Sequence, residues 1–223
     1  MSLIAKLRLN KKKKNSFFKG EIELHLVKFL CSKKGISIDI GANKGNYTLE
    51  MSKYSKGVIS IEPNIRYNKY LNKMPNNCSV MNNAVTSLKD NIFLHVPVKN
   101  SKSKFNEAFI SQNKSEPNTK LVSDVLPISL DYFIDKNIKM IKIDVEGNEM
   151  DVLKSGLNLI EKQRPNLLIE SLTKSEFKNQ LNFFRDFDYV ALRIIDGEIF
   201  FVKDESIFDQ CNKYDLNTIF IPT

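Results

Sequence analysis

Asp39 and Glu62 each close a short apolar run, and Asp39 is followed at once by a glycine turn in SIDIGANKGNYT. A carboxylate at the end of a buried strand, then glycine, then a helix, is how open α/β sheets build ligand sites at the carboxyl ends of strands. Glu62 follows Gly41 by about the twenty residues that separate such a turn from the ribose-binding acid of dinucleotide folds. The loop is not GxGxxG, because Asn43 stands where a second glycine would let a pyrophosphate approach. It also lacks the GK[ST] ending of a P-loop. The spacing fits a nucleoside cofactor without phosphates, such as S-adenosyl-L-methionine. Asp39 could then meet its ammonium group, helix N–H groups its carboxylate and Glu62 its ribose hydroxyls. A turn that serves only strand-to-helix packing is the alternative.

A second cluster runs Lys142-Ile143-Asp144-Val145-Glu146-Gly147-Asn148-Glu149. Strand alternation places Asp144 and Glu146 on one side as the strand ends. Two close carboxylates there could take a proton or bind a divalent ion, or simply cap the following helix. Glu170 ends the next apolar run and either lines the same crevice or faces solvent. Asp144 is the expected base, or part of a metal site, and His95 is a weak alternate, since a lone histidine on a strand is more often structural.

The elements that must carry these residues alternate. An amphipathic helix is expected over 21–32, a strand over 36–40, a helix over 46–53, a strand over 58–62, a helix over 65–73 and a strand over 78–81. That alternation predicts a parallel sheet with helices on both faces. An extra strand follows at 91–98, then a polar, lysine- and serine-rich stretch over 99–121 that reads as an inserted loop. A short helix at 128–134, a strand at 140–145, a helix at 148–155, a strand at 166–170 and a helix at 175–184 come next. The runs 189–195 and 198–202 flank Asp196-Gly197, a strong hairpin signal, and 218–221 is a last short strand.

The chain of 223 residues suits one globular domain. No apolar run approaches a membrane span of roughly 18–20 residues, and the amino terminus lacks a secretory core, so a cytoplasmic protein is expected. Cys31, Cys78 and Cys211 match neither a disulfide framework nor a metal motif. The net charge of +8 is concentrated in residues 1–20, which hold seven lysines and arginines and no acid, leaving 27 of the 34 basic residues against 26 acids. Residues 21–223 therefore carry no basic excess that would point to nucleic acid. The leader, 1–20, reads as a flexible solvated segment, or as a weak membrane-surface contact through Leu3, Ile4, Leu7 and Leu9 beside its lysines. Nothing in the sequence bears on oligomeric state.

SIDIGANKGNYT, ISIEPN, NNAV, ISLDYF, IKIDVEGNEMDVLKSG and RPNLLIES, in this order over residues 36–171, resemble the FkbM family of S-adenosylmethionine-dependent methyltransferases. The resemblance implies a class I methyltransferase, Rossmann-like α/β fold: a seven-stranded, mostly parallel sheet with a C-terminal antiparallel hairpin and helices on both faces. It implies O-methyl transfer to sugars, glycans or other hydroxylated metabolites. By motif position it assigns Asp39, Gly41, Asn43, Gly45 and Tyr47 to the methionine end of the cofactor and Glu62 to the ribose. Asn83 and Ala84 would lie by the adenine, and Asp144 and Glu146 at the reaction centre.

No NPPY-like tetrapeptide or Pro-Cys pair is present, which disfavours transfer to an amide or base nitrogen or to pyrimidine carbon. Lys102 and Lys104 could favour an acidic acceptor, although a solvated pair is the simpler account. Two rivals remain. Tyr132 to Lys136 satisfies the YxxxK of short-chain nicotinamide oxidoreductases but precedes its strand. A non-catalytic cofactor-binding module is the other.

Overall fold

The computed structural model describes residues 22–89, 92–211 and 216–223. The basic leader of residues 1–20 lies outside them. A 3₁₀ turn (Ile22–Leu26) runs into the short helix α1 (Val27–Leu30). Then follow β1 (Ile36–Ile40), α2 (Asn46–Ser52), β2 (Gly57–Ile61), a 3₁₀ turn (Ile65–Tyr67), α3 (Asn68–Leu71) and β3 (Cys78–Met81). Further along lie β9 (Ile138–Ile143), α4 (Glu149–Lys154), α5 (Leu157–Gln163), β10 (Asn166–Glu170), α6 (Lys174–Arg185), β11 (Tyr189–Ile195), β12 (Glu198–Phe201) and β13 (Asn217–Pro222).

The main sheet has eight strands in the order β12-β11-β13-β10-β9-β1-β2-β3. From β10 to β3 every pairing is parallel, while β13 runs antiparallel to both β10 and β11. The hairpin at Asp196-Gly197 is formed by β11 and β12, but β12 adds an eighth strand to the seven expected, and β13 inserts between β10 and β11. The central strands are apolar on both faces because both are covered. Ile38, Ile40, Ile141, Ile143, Leu167 and Ile169 pack beneath α4, α5 and α6. The alternate residues Val58, Met140 and Leu168 pack with Leu26, Leu30, Tyr47 and Met51 on the opposite face.

Residues 99–121 are not a structureless loop, as their polarity had suggested. They belong to a second, five-stranded sheet of β4 (Asn83–Val85), β5 (Ile92–Lys99), β6 (Lys102–Ser103), β7 (Phe109–Ser111) and β8 (Thr119–Ile128). β8 pairs antiparallel with β5 and parallel with β4, so it links the insertion to the segment just after β3. It also takes up residues expected to begin a helix at 128; only the 3₁₀ turn Leu130–Phe133 forms there. Helix α5 was not anticipated. Its buried residues are Leu159 and Ile160, and its amino end is tied by Asp131 Oδ1, which accepts from Leu159 N at 2.8 Å.

Ile141 is fully buried at the centre of the main sheet, in register with Ile38 and Leu167. Ile141→Ala should cost about 2–5 kcal/mol of folding stability, read as a lower urea midpoint at unchanged slope.

Candidate active site

The site is built where two turns meet. Gly41 leaves β1 with φ +77, and a Cβ on it would stand 1.8 Å from the Asp144 carbonyl oxygen. The chain past β9 is held to the same place by the Asp144 N–H, which donates to the Ile40 carbonyl at 3.1 Å. Only glycine permits that approach at that backbone angle. The turn after β9 folds around Glu149, which is 2% exposed. Its Oε1 accepts from the N–H groups of Val145 and Gly147, both at 3.1 Å. Glu146, at φ 55, and Gly147, at φ 99, carry the chain through the left-handed region between them.

These turns open onto a cleft of ≈ 280 Å³ between the carboxyl ends of the main strands and the second sheet. Of the residues assigned to it from sequence, Gly41, Asn43, Glu62, Asn83, Ala84, Asp144, Glu146 and Glu170 line the cleft. Asp39, Gly45 and Tyr47 do not. Asp39 is buried beneath the turn, where its Oδ2 accepts from Thr48 Oγ1 at 2.6 Å, and Thr48 in turn lies 2.8 Å from Ser60 Oγ. Burial raises the Asp39 carboxyl to about 6. The bond from Thr48 fastens α2 to β1. Gly45 sits at the start of α2 with φ 84, packed against Met74 and Leu71. Tyr47 points into the core on the other side, its ring 5.1 Å from Lys142 Nζ.

Glu62 faces the cleft with one backbone N–H on each oxygen, from Asn43 at 2.8 Å and Asn64 at 2.9 Å. Each oxygen keeps a second acceptor position, an arrangement suited to a pair of neighbouring hydroxyls. Burial outweighs those hydrogen bonds and raises the carboxyl to about 7.

Opposite Glu62 stand three carboxyls and a lysine. Lys142 is 1% exposed on β9, and its Nζ donates to Asp144 Oδ2 at 3.1 Å. Burial alone would raise Asp144, but the Lys142 charge and a hydrogen bond from Glu170 hold it below the ordinary carboxyl range. Glu170 moves the other way: burial first, then the Asp144 charge, push it up to about 9. Asp144 is thus ionised and Glu170 protonated at neutral pH. Glu146, raised by burial and then by Asp144, lies at about 7. Among the described residues no group of three or more His, Cys, Asp or Glu side chains could hold a metal ion.

His95 is a structural residue of the second sheet, not a base at the cleft. It is fully buried, with Nδ1 3.1 Å from Thr119 Oγ1, Nε2 2.8 Å from the Asn113 carbonyl, and its ring stacked on Phe109. Lys102 and Lys104 do not line the cleft either. Sequence reasoning missed the far wall, made by Leu94, Phe105, Ala108, Phe109 and Ile110. It also gave no role to Lys142, although a lysine between Ile141 and Ile143 in a buried parallel strand was a visible signal.

Gly41→Ala should cost more than the roughly 1–3 kcal/mol of a strained backbone alone, because the Asp144 carbonyl must also move. A urea titration measures it. The pH dependence of stability follows from the raised carboxyls. Glu170 has an ordinary value of 4.5 and lies at about 9 in the fold, so between those values the folded chain holds a proton that the unfolded chain releases. Its contribution is complete below the unfolded value and is lost as pH rises through the folded one. The melting temperature should therefore fall from pH 5 to pH 9, and Glu170→Gln should flatten the upper part of that decline.

A family model described as the methyltransferase FkbM domain matches residues 39–191. No curated protein matches the sequence. Among solved structures, methyltransferase FkbM from Methylobacillus flagellatus KT aligns with a TM-score of 0.54 at 19% identity, covering 85% of this chain and 44% of that one. This chain therefore spans less than half the length of that structure. A putative methyltransferase from Streptococcus mutans, solved in complex with SAH, gives 0.53 at 12% identity, covering 93% of this chain and all of that one, 100%. A putative rRNA-methylase from Clostridium thermocellum gives 0.54 at 9% identity, with 92% and 97% covered. At these identities the structural likeness speaks for the fold, which is of the class I methyltransferase kind. The match over 39–191 goes further: this chain belongs to the FkbM methyltransferase family.

Proposed function

We propose that the protein transfers a methyl group from S-adenosyl-L-methionine to a hydroxyl of a sugar, glycan or related hydroxylated metabolite. The observation that carries the reading is one cleft with Glu62 at the end of β2 and Asp144, Glu146 and Glu170 across from it. When bound, S-adenosyl-L-methionine supplies an electrophilic methyl on a positively charged sulfur. Glu62, with a free acceptor position on each oxygen, would take the ribose hydroxyls. Gly41 and Asn43 would contact the methionine end, and Asn83 and Ala84 the adenine.

The three carboxyls divide the remaining work by protonation state. A general base serves best with a value near the working pH. Glu146, at about 7, meets that condition. Glu146 accepts the hydrogen bond of the acceptor hydroxyl and receives its single proton. Asp144, ionised and engaged by Lys142 and Glu170, accepts from a neighbouring hydroxyl of the acceptor and so orients it. The lining includes four carboxyls, from Glu62, Asp144, Glu146 and Glu170, and no lysine, arginine or histidine among the described residues, so it offers acceptors for hydroxyls and no cation on its surface to pair with a phosphate.

No helix among the described residues is long and apolar enough to cross a membrane. A cytoplasmic setting, with the basic leader touching an anionic membrane surface, is part of the same proposal.

A labelled-methyl screen against neutral glycans, lipid-linked sugars and polyols tests the reaction, with calorimetry against S-adenosyl-L-methionine and NAD as its control. Binding of NAD in place of S-adenosyl-L-methionine would return the oxidoreductase reading. On an acceptor so found, Glu146→Gln should lower kcat by about 10²- to 10⁴-fold. Asp144→Asn should also lower turnover strongly, with cofactor affinity still measurable. The wild-type rate should fall as pH drops below about 7, where Glu146 becomes protonated, and that limb should vanish in Glu146→Gln.

A further inference from the structure

We infer that Phe105, braced by Arg66, is the stacking surface for the adenine ring, so that the second sheet helps to hold the cofactor. This rests on the proposal that S-adenosyl-L-methionine occupies the cleft.

Phe105 opens a 3₁₀ turn (Phe105–Glu107) between β6 and β7, in the segment that forms the second sheet. Its ring lines the same cleft as Glu62, Pro63, Tyr67 and Ala84. The Arg66 guanidinium carbon lies 3.9 Å from the ring centroid, close enough for a cation–π contact. Arg66 belongs to the turn Ile65–Tyr67, four residues past Glu62, and that turn is set by Asn64, whose side chain accepts from Arg66 N at 3.2 Å. The contact therefore draws Phe105 to the β2 side of the cleft. The reacting carboxyls stand on the β9 and β10 side, with β1 between.

Two further ties stiffen the second sheet itself around this place. Asn83 Nδ2 donates to the Leu126 carbonyl at 3.2 Å, joining the segment beside Ala84 to β8. Lys99 and Glu107 pair at 2.8 Å across the turn that carries Phe105. A ring fixed by a cation at one face, on the ribose side of the cleft, has the chemistry to stack an electron-rich purine. The sheet ends alone offer Tyr67, Pro63 and Ala84 to that base and no second aromatic wall.

Calorimetric titration of S-adenosyl-L-methionine and S-adenosyl-L-homocysteine into the full chain tests this. Phe105→Ala should raise Kd about tenfold or more for both ligands, since both carry the base. Phe105→Tyr should stay within about threefold of wild type. Phe105→Leu, which keeps apolar bulk without a ring, should behave as Phe105→Ala does, and Arg66→Ala should fall between. Thermal melts of each variant report that the fold is retained. If wild type binds both ligands and Phe105→Ala stays within twofold of it, or Phe105→Leu restores affinity, the stacking role is overturned while the cofactor reading stands. If wild type binds neither ligand, both fall together.

Discussion

An ammonium group buried under carboxyls is the constraint on which the rest of the site depends. Removing a lysine from water costs several kcal/mol unless an opposite charge and hydrogen bonds compensate it, and Lys142 is 1% exposed. Asp144 supplies that charge, and the pair adds to burial in setting the protons around it. With Asp144 held ionised, Glu170 beside it must keep its proton, and Glu146 is left near neutrality. Strand alternation explains why Lys142 and Asp144 meet at all: Lys142 on β9 and Asp144 just past its end are two residues apart and share a face, while Ile141 and Ile143 face the opposite core. The sheet thus sets the electrostatics directly, without a mobile loop intervening.

The second constraint is steric. The turns after β1 and β9 pass so closely that only glycine fits at position 41. Asp39, which has the right chemistry for a ligand, is spent below them on fixing α2 through Thr48 and Ser60. Glu62 on one side of the cleft and Asp144, Glu146 and Glu170 on the other are thereby held by parallel strands of one sheet with β1 between them, and the second sheet supplies the facing wall.

The main sheet was legible because its signals are local and agree: short apolar runs, glycine turns and acidic strand ends at regular spacing. The strands over 36–40, 78–81, 166–170 and 189–195 have the bounds that the pattern implied. The second sheet was not legible, for a physical reason. Its strands are short or half-exposed, so the alternation in 102–126 is diluted by lysine, serine and asparagine. What holds them is pairing with β5 and β4, which lies far away in sequence. The same holds within the site. Residue types at strand ends pointed to Glu62, Asp144 and Glu146. The downward turn of Asp39 and Tyr47, and the wall with Phe105, depend on partners that no local pattern reveals.

The placement of β13 bears on how the chain comes to be folded as it is made. β10 and β11 touch only through β13, because the last strand slots between them. Until residues 217–222 leave the ribosome, β10 has an open edge, and β11 with its partner β12 has no strand to join it to the sheet. Leu167, Leu168 and Ile169, fully buried in the finished fold, then form an apolar strand with a free row of backbone groups, the kind of edge that invites mispairing. The carboxyl at the end of that strand, Glu170, lines the cleft. A chain halted before residues 217–222 therefore lacks the cover of the strand that carries Glu170 into the cleft.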